Sequence, residues 1–149
     1  MWQIKLKEIN EIKKLYKQAE NSGVSDEQLA GLLSETKKQY DFVLPESYID
    51  FLKKENGFEF NGFIIYGIGG AKDCLSTQST TDFISTNEIW HEVSDSKRYI
   101  FFGDSNISWY CFDKRNNLYV ELDKPSLSLV KVFDNANNML EGILMDCLQ

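Results

Sequence analysis

The sequence predicts an α+β domain, and three observations predict it. Apolar residues recur at three- to four-residue steps through the first third of the chain, alternate with polar residues in later segments, and return to helical spacing in the tail. An Asn-Gly pair at 61–62 sits between two apolar runs, which is the favoured pair for a tight β-hairpin. The connections between later apolar runs are short and rich in turn formers, so neighbouring strands pair antiparallel. Helices first, a meandering sheet of about five to six strands next and a helix last describe one domain over residues 1–149.

Each element has its own warrant. Ile4, Ile9, Ile12, Leu15, Tyr16 and Ala19, with Lys and Glu between them, spell an amphipathic helix ending near Asn21-Ser22-Gly23, where Gly23 takes the left-handed cap. Ser25 and Gln28 have the spacing of a capping box, opening a second helix through Leu29, Leu32, Leu33 and Thr36 toward Tyr40. Pro45 suits the first turn of a third helix, because it lacks an N–H that would be unpaired there. That helix carries Tyr48, Phe51 and Leu52 and stops at Asn56-Gly57. Residues 58–60 and 63–66 make the hairpin, and further strands fall at 99–103, 107–112, 118–122 and 127–133. Leu118, Val120 and Leu122 alternate with Tyr119 and Glu121, the pattern of a half-buried strand. Residues 67–97 form the longest irregular region, with a short helix around 82–90. Met139, Leu140, Ile143, Leu144 and Leu148 give the closing helix.

Composition excludes several partners. With 16 Lys and Arg against 23 Asp and Glu the formal charge is −7, which disfavours nucleic acid phosphates and anionic membranes as partners. The charge is uneven. Residues 1–54 hold nine lysines and nine acids, whereas residues 55–149 hold seven basic residues against fourteen acids. No apolar run of about 20 residues is present to span a bilayer, and the first residues lack the basic-then-apolar order of a signal peptide. These features predict a cytoplasmic protein, a monomer or weak homodimer, without a cofactor. The three cysteines, Cys74, Cys111 and Cys147, lack metal-ligand spacing and read as reduced thiols in or near the core.

No pattern of residues points to catalysis. Gly67-Ile68-Gly69-Gly70 follows a strand, but Lys72 stands where a dinucleotide fingerprint needs glycine, so it reads as a turn. His91 is the sole imidazole and has no nucleophile beside it in sequence. The carboxylate sets Glu88/Glu92/Asp95, Asp104/Asp113 and Glu121/Asp123 fall in turns or on polar faces, where carboxylates are ordinarily solvated. Asn106-Ile107-Ser108 matches a glycosylation sequon only incidentally, given the absence of a secretory signal. The twenty aromatic residues are mostly core. In Ser108-Trp109-Tyr110-Cys111-Phe112, however, large side chains fall on both faces of one strand, so one face is a candidate contact surface.

Taken in order, the motifs form a recognisable series. Leu44-Pro45-Glu46-Ser47-Tyr48, Phe51-Leu52 and Glu55-Asn56-Gly57-Phe58 are followed by Ile64, Tyr66 and Gly67. Phe101-Phe102-Gly103-Asp104 and Trp109-Tyr110-Cys111-Phe112-Asp113 come next. Over roughly residues 25–145 this series resembles the SMI1/KNR4 (SUKH) superfamily, although Asp104-Ser105-Asn106 carries less glycine than that family's second turn. The resemblance implies a twisted antiparallel sheet flanked by helices. It also implies, for bacterial members, an immunity protein that neutralises a cognate polymorphic toxin, often a nuclease or deaminase. Eukaryotic relatives are cell-wall regulators and scaffolds. Leu44, Pro45, Tyr48, Asn56, Gly57 and Gly103 have structural explanations as helix start, core, cap and turn.

The expectation is therefore a non-enzymatic inhibitor whose acidic, aromatic-containing surface meets a basic toxin. Its contact residues are expected among Glu88, Trp90, Glu92, Asp95, Asp104, Trp109, Tyr110, Glu121 and Asp123. The alternatives are a scaffold domain, which predicts an apolar patch, and a small-ligand enzyme with residues 67–97 as a lid over His91 or a carboxylate pair.

Overall fold

The computed structural model describes residues 1–18, 21–69 and 80–149. Cys74, Gly70 and Lys72 lie outside them. Helix α1 (Trp2–Leu15) buries Trp2, Leu6, Ile9 and Lys13. It ends earlier than its sequence suggests: Tyr16 closes it and Lys17 takes the left-handed turn at φ 56°. Gly23 is not the cap. It passes so close to the third helix that a Cβ there would lie 1.9 Å from the Lys53 carbonyl oxygen, and Val24 N–H donates to the Leu52 carbonyl at 2.9 Å. A close approach of two backbones, and not a helix end, is what requires glycine at this position.

The second helix, α2 (Asp26–Tyr40), begins at the capping box that Ser25 and Gln28 predict. Gln28 N–H donates to Ser25 Oγ at 3.1 Å, and Ser25 N–H donates to Gln28 Oε1 at 2.9 Å. Helix α3 (Glu46–Lys54) follows Pro45, which is its N-cap. Asn61 and Gly62 both take positive φ, 51° and 82°, and join β1 (Phe58–Phe60) to β2 (Phe63–Ile65). Then come α4 (Phe83–Trp90), capped by Asp82, and a 3-10 turn at Ser94–Ser96. Four strands complete the sheet: β3 (Tyr99–Asp104), β4 (Ser108–Asp113), β5 (Leu118–Asp123) and β6 (Leu129–Phe133). Helix α5 (Ala136–Cys147) starts at the Asn135 cap and closes the fold. The architecture is α+β, with one antiparallel six-stranded sheet in chain order β1-β2-β3-β4-β5-β6.

Register decides which residues share a side. Tyr110 pairs with Glu121, Phe112 with Tyr119, and Tyr119 with Phe133, so these lie on one face. That face carries the core. Phe102 packs against Phe42, Tyr48, Phe83 and Tyr119. Helix α5 covers the β5–β6 end, with α1 and α3 packed on α5 in turn. On the other face, Trp109 pairs with Leu122 and Cys111 with Val120, which in turn pairs with Val132. Here α4 supplies Trp90 and is capped by His91, and both rings meet Phe101.

β2 is too short to cover the edge of β3, reaching only Gly103 and Asp104 in ladder register. Tyr66 N–H, just past β2, still donates to the Phe102 carbonyl at 2.8 Å, and one residue further, at Phe101, a side chain takes over. Asn87, fully buried in α4, accepts from Phe101 N–H through Oδ1 at 2.7 Å. Its Nδ2 donates to the carbonyls of Phe101 at 2.9 Å and Phe83 at 2.8 Å. The carboxamide copies the donor and acceptor of a neighbouring strand and so docks α4 to the sheet.

Cys111 and Cys147 are free and buried, as expected of core thiols. Burial pushes both up, Cys147 to about 12 with Lys13 pulling the other way.

Candidate functional site

The turns leading from β3 to β4 and from β5 to β6 lie at one end of the sheet, and the C-terminus of α4 reaches them. Asp104 pairs with Trp109 in the β3–β4 ladder, and Trp109 pairs with Leu122 in β4–β5. Lys124 follows directly after β5, and its N–H donates to the Ile107 carbonyl at 2.9 Å. This arrangement closes a ring of side chains. Trp90 Nε1–H donates to the Tyr66 hydroxyl at 3.1 Å, and that hydroxyl donates to Asp104 Oδ2. Asp104 Oδ1 faces Lys124 Nζ at 3.5 Å. Lys124 Nζ donates to the Ser105 carbonyl at 2.9 Å. It also stands 5.5 Å from the Trp90 ring centroid and 5.4 Å from that of Trp109, within cation–π range of both. The two indoles meet edge to face at 5.4 Å. Burial, then the Asp104 charge, pushes the Tyr66 hydroxyl far up, so it remains a donor to that carboxylate.

One atom of the cluster is unsatisfied. Trp109 is 8% exposed, and its Nε1–H has no hydrogen-bond partner. A buried donor in that state costs about 1–3 kcal/mol.

Three of the nine residues nominated from sequence therefore converge: Trp90, Asp104 and Trp109. Glu88, Glu92 and Asp95 are exposed on α4 and the turn after it. Asp123 accepts from the Ser126 hydroxyl in the β5–β6 turn. Tyr110 and Glu121 face the helix-covered side instead. Tyr110 is 1% exposed, and burial, with Glu121 and Asp146 nearby, pushes its hydroxyl up. Adjacent strand residues point to opposite faces, so Trp109 and Tyr110 do not share a surface. The sequence reading missed Tyr66 and Lys124. Tyr66 enters only as part of the motif series and Lys124 stands in no motif, and only register and the turn after β5 bring them to the indoles.

His91 and Asp113, weighed for the alternative enzyme reading, are held in structural contacts. His91 Nε2–H donates to the Tyr99 carbonyl at 2.7 Å, and the ring packs against Tyr40 and Phe101. Asp113 lies at the far end of the β3–β4 ladder from Asp104, paired opposite Tyr99. Arg98 grips it through Nε at 3.1 Å and a second nitrogen at 2.6 Å. Burial alone would raise the Asp113 carboxyl. The Arg98 guanidinium and the N–H groups of Arg115 and Asn116 outweigh burial and hold it below the usual carboxylate range. A lowered folded-state value means that this group adds stability above the unfolded carboxyl value, near 4, and loses it as pH falls through the folded one. Asp113→Asn is expected to cost about 1–2 kcal/mol at pH 7. The difference from the parent should shrink toward pH 3, as urea unfolding at the two pH values would show.

Among the described residues, no three His, Cys, Asp or Glu side chains gather closely enough to hold a metal ion, and no helix is long and apolar enough to cross a membrane. The second face of the sheet is only partly covered toward β6, where Leu118, Leu129, Val130 and Val132 are 40%, 62%, 56% and 45% exposed.

A search of the curated proteins finds no match. A model of the SUKH_6 family, described as SMI1-KNR4 cell-wall, matches residues 30–121. The match runs from within α2 into β5 and takes in Tyr66, Trp90, Asp104 and Trp109, while Lys124 lies just beyond it. With more than half of its length inside that match, and with the α+β order of elements that the motifs predict, the chain belongs to the SMI1-KNR4 (SUKH) family.

Proposed function

We propose that this protein is a non-enzymatic immunity protein that binds and neutralises a cognate toxin with a basic surface, such as a nuclease or deaminase. The observation that carries the reading is the Trp90–Trp109 end of the second sheet face. It holds Trp90, half-buried and edge to face with Trp109, and α4 and the turn after it carry exposed carboxylates at Glu88, Glu92 and Asp95. A partner surface covers the half-buried Trp90 ring and completes the exclusion of water that binding anchors of this type require. The acid excess of residues 55–149 supplies the complementary potential that speeds encounter with a basic groove.

The test is co-expression with the toxin-like product of the neighbouring gene. The expected result is restored growth and a stoichiometric complex whose association rate falls with salt. Reversing the charge of exposed Glu88 and Glu92 should slow association roughly tenfold at low salt while leaving thermal stability unchanged. Persistent toxicity, with both proteins folded and present, would sink the proposal.

A scaffold or regulatory role is the second reading. The exposed Leu118, Leu129, Val130 and Val132 favour it, since apolar side chains left exposed on the neighbouring strands β5 and β6 suit a protein contact whatever the partner's charge. Binding that ignores salt and the Glu88/Glu92 reversal, and that weakens on Val132→Asp, would select this role over the first.

A further inference from the structure

We infer that Trp90, Trp109 and Asp104 form a guanidinium-binding cage, which Lys124 fills in the free protein and an arginine of the basic partner fills in the complex. The inference rests on the reading above that this end of the sheet meets such a partner.

The cage already shows what it binds, because a cation occupies it. Two indole faces lie 5.4 and 5.5 Å from the ammonium nitrogen, and indole is the strongest of the aromatic cation binders. Lys124 is an imperfect occupant. It makes a good hydrogen bond to the Ser105 carbonyl at 2.9 Å, but stands 3.5 Å from Asp104 Oδ1, well beyond the roughly 2.7–2.9 Å of a charge-assisted bond. Asp104 has its other oxygen engaged by Tyr66. One carboxylate oxygen and one carbonyl thus line the same space, and a single ammonium position satisfies only one of them. A guanidinium suits this set better. It is planar, stacks on aromatic faces and presents donors in a rigid fork, so it can reach both oxygens at once. It is also more weakly hydrated than an ammonium, which lowers the cost of entering the cage.

The occupant can also leave. Lys124 sits outside the strands, in the turn after β5, and its side chain and that of Asp104 are 20% and 14% exposed. The ammonium therefore reaches solvent by rotation of its own flexible stem, without unpairing the sheet.

Indole N–H resonances supply the readout. The chain has three tryptophans, and Trp2, 1% exposed on α1, is an internal control. The probes are N-acetyl-arginine methylamide, N-acetyl-lysine methylamide and tetramethylammonium, titrated into the parent, Lys124→Ala, and Lys124→Ala/Asp104→Asn. Lys124→Gln serves as a second emptying variant that keeps most of the stem, should the alanine variant unfold. The expected result is that emptying the cage strengthens arginine-probe binding at least tenfold, shifts Trp90 and Trp109 but not Trp2, and favours the arginine probe over the other two. Asp104→Asn removes the gain. Equal binding by parent and emptied variants, or preference for lysine or tetramethylammonium, would overturn the inference. Because the probes are small molecules, their failure beside intact toxin binding condemns the cage alone. Probe binding without toxin binding condemns the functional proposal alone.

Discussion

Asn87→Ala should destabilise the fold by about 3–4 kcal/mol, a large share of the 5–15 kcal/mol of an ordinary domain. The side chain is fully buried and makes three hydrogen bonds, two of them to the N–H and carbonyl of Phe101. Removing it opens a small cavity and leaves a buried donor and acceptor of β3 without partners, each at about 1–3 kcal/mol. Asn87→Asp separates the two roles of the amide. It keeps an acceptor for Phe101 N–H but turns a second oxygen toward the carbonyls of Phe101 and Phe83, so it should be no milder than alanine. Urea unfolding measures both. A loss below 1 kcal/mol for alanine would mean that α4 is held by its apolar contacts and that the amide pairing is incidental.

Phe102→Ala should cost about 3–5 kcal/mol. The ring is fully buried and touches Phe42 before α3, Tyr48 in α3, Phe83 in α4 and Tyr119 in β5. These four ring partners are rigid, so a cavity left among them adds its cost to the lost transfer energy. Phe102→Leu retains part of the volume and should recover about half of the loss. The measurement is again equilibrium unfolding. A loss confined to near 1 kcal/mol would indicate that the ring cluster relaxes around the gap.

These two residues mark the boundary of what local sequence reveals. The start of α2 and the β1–β2 hairpin follow from signals within four residues of each other, Ser25 with Gln28 and Asn61 with Gly62, whose hydrogen bonds and dihedrals depend on no distant partner. The end of α1 does not. Gly23 carries the usual sign of a helix cap, yet contact with Lys53, thirty positions away, is what requires it. The site shows the same limit. Trp90, Asp104 and Trp109 are readable as candidates because aromatic and acidic residues in turns and strands make contact surfaces. Choosing Trp109 over Tyr110 needs knowledge of which face the helices cover, and placing Lys124 between the indoles needs the register of three strands. Asn87 gave no sequence signal at all: an asparagine in a short helix is unremarkable until β2 proves too short to finish the edge of β3.

The order of the sheet has a consequence for timing. Every strand pairs with its neighbour in the chain, and from β3 to β6 the intervening turns are short, so most of the ladder forms by closing small loops. Chains dominated by such local pairing fold faster than those that must join distant segments. The longer-range steps are the pairing of β2 with β3 and the packing of α1 and α3 on α5, the last of which follows once most of the ladder can already exist. For a protein proposed to protect its own cell, speed of maturation matters as much as affinity. An inhibitor whose sheet assembles hairpin by hairpin can present its second face soon after the last strand is made, before much toxin has time to act.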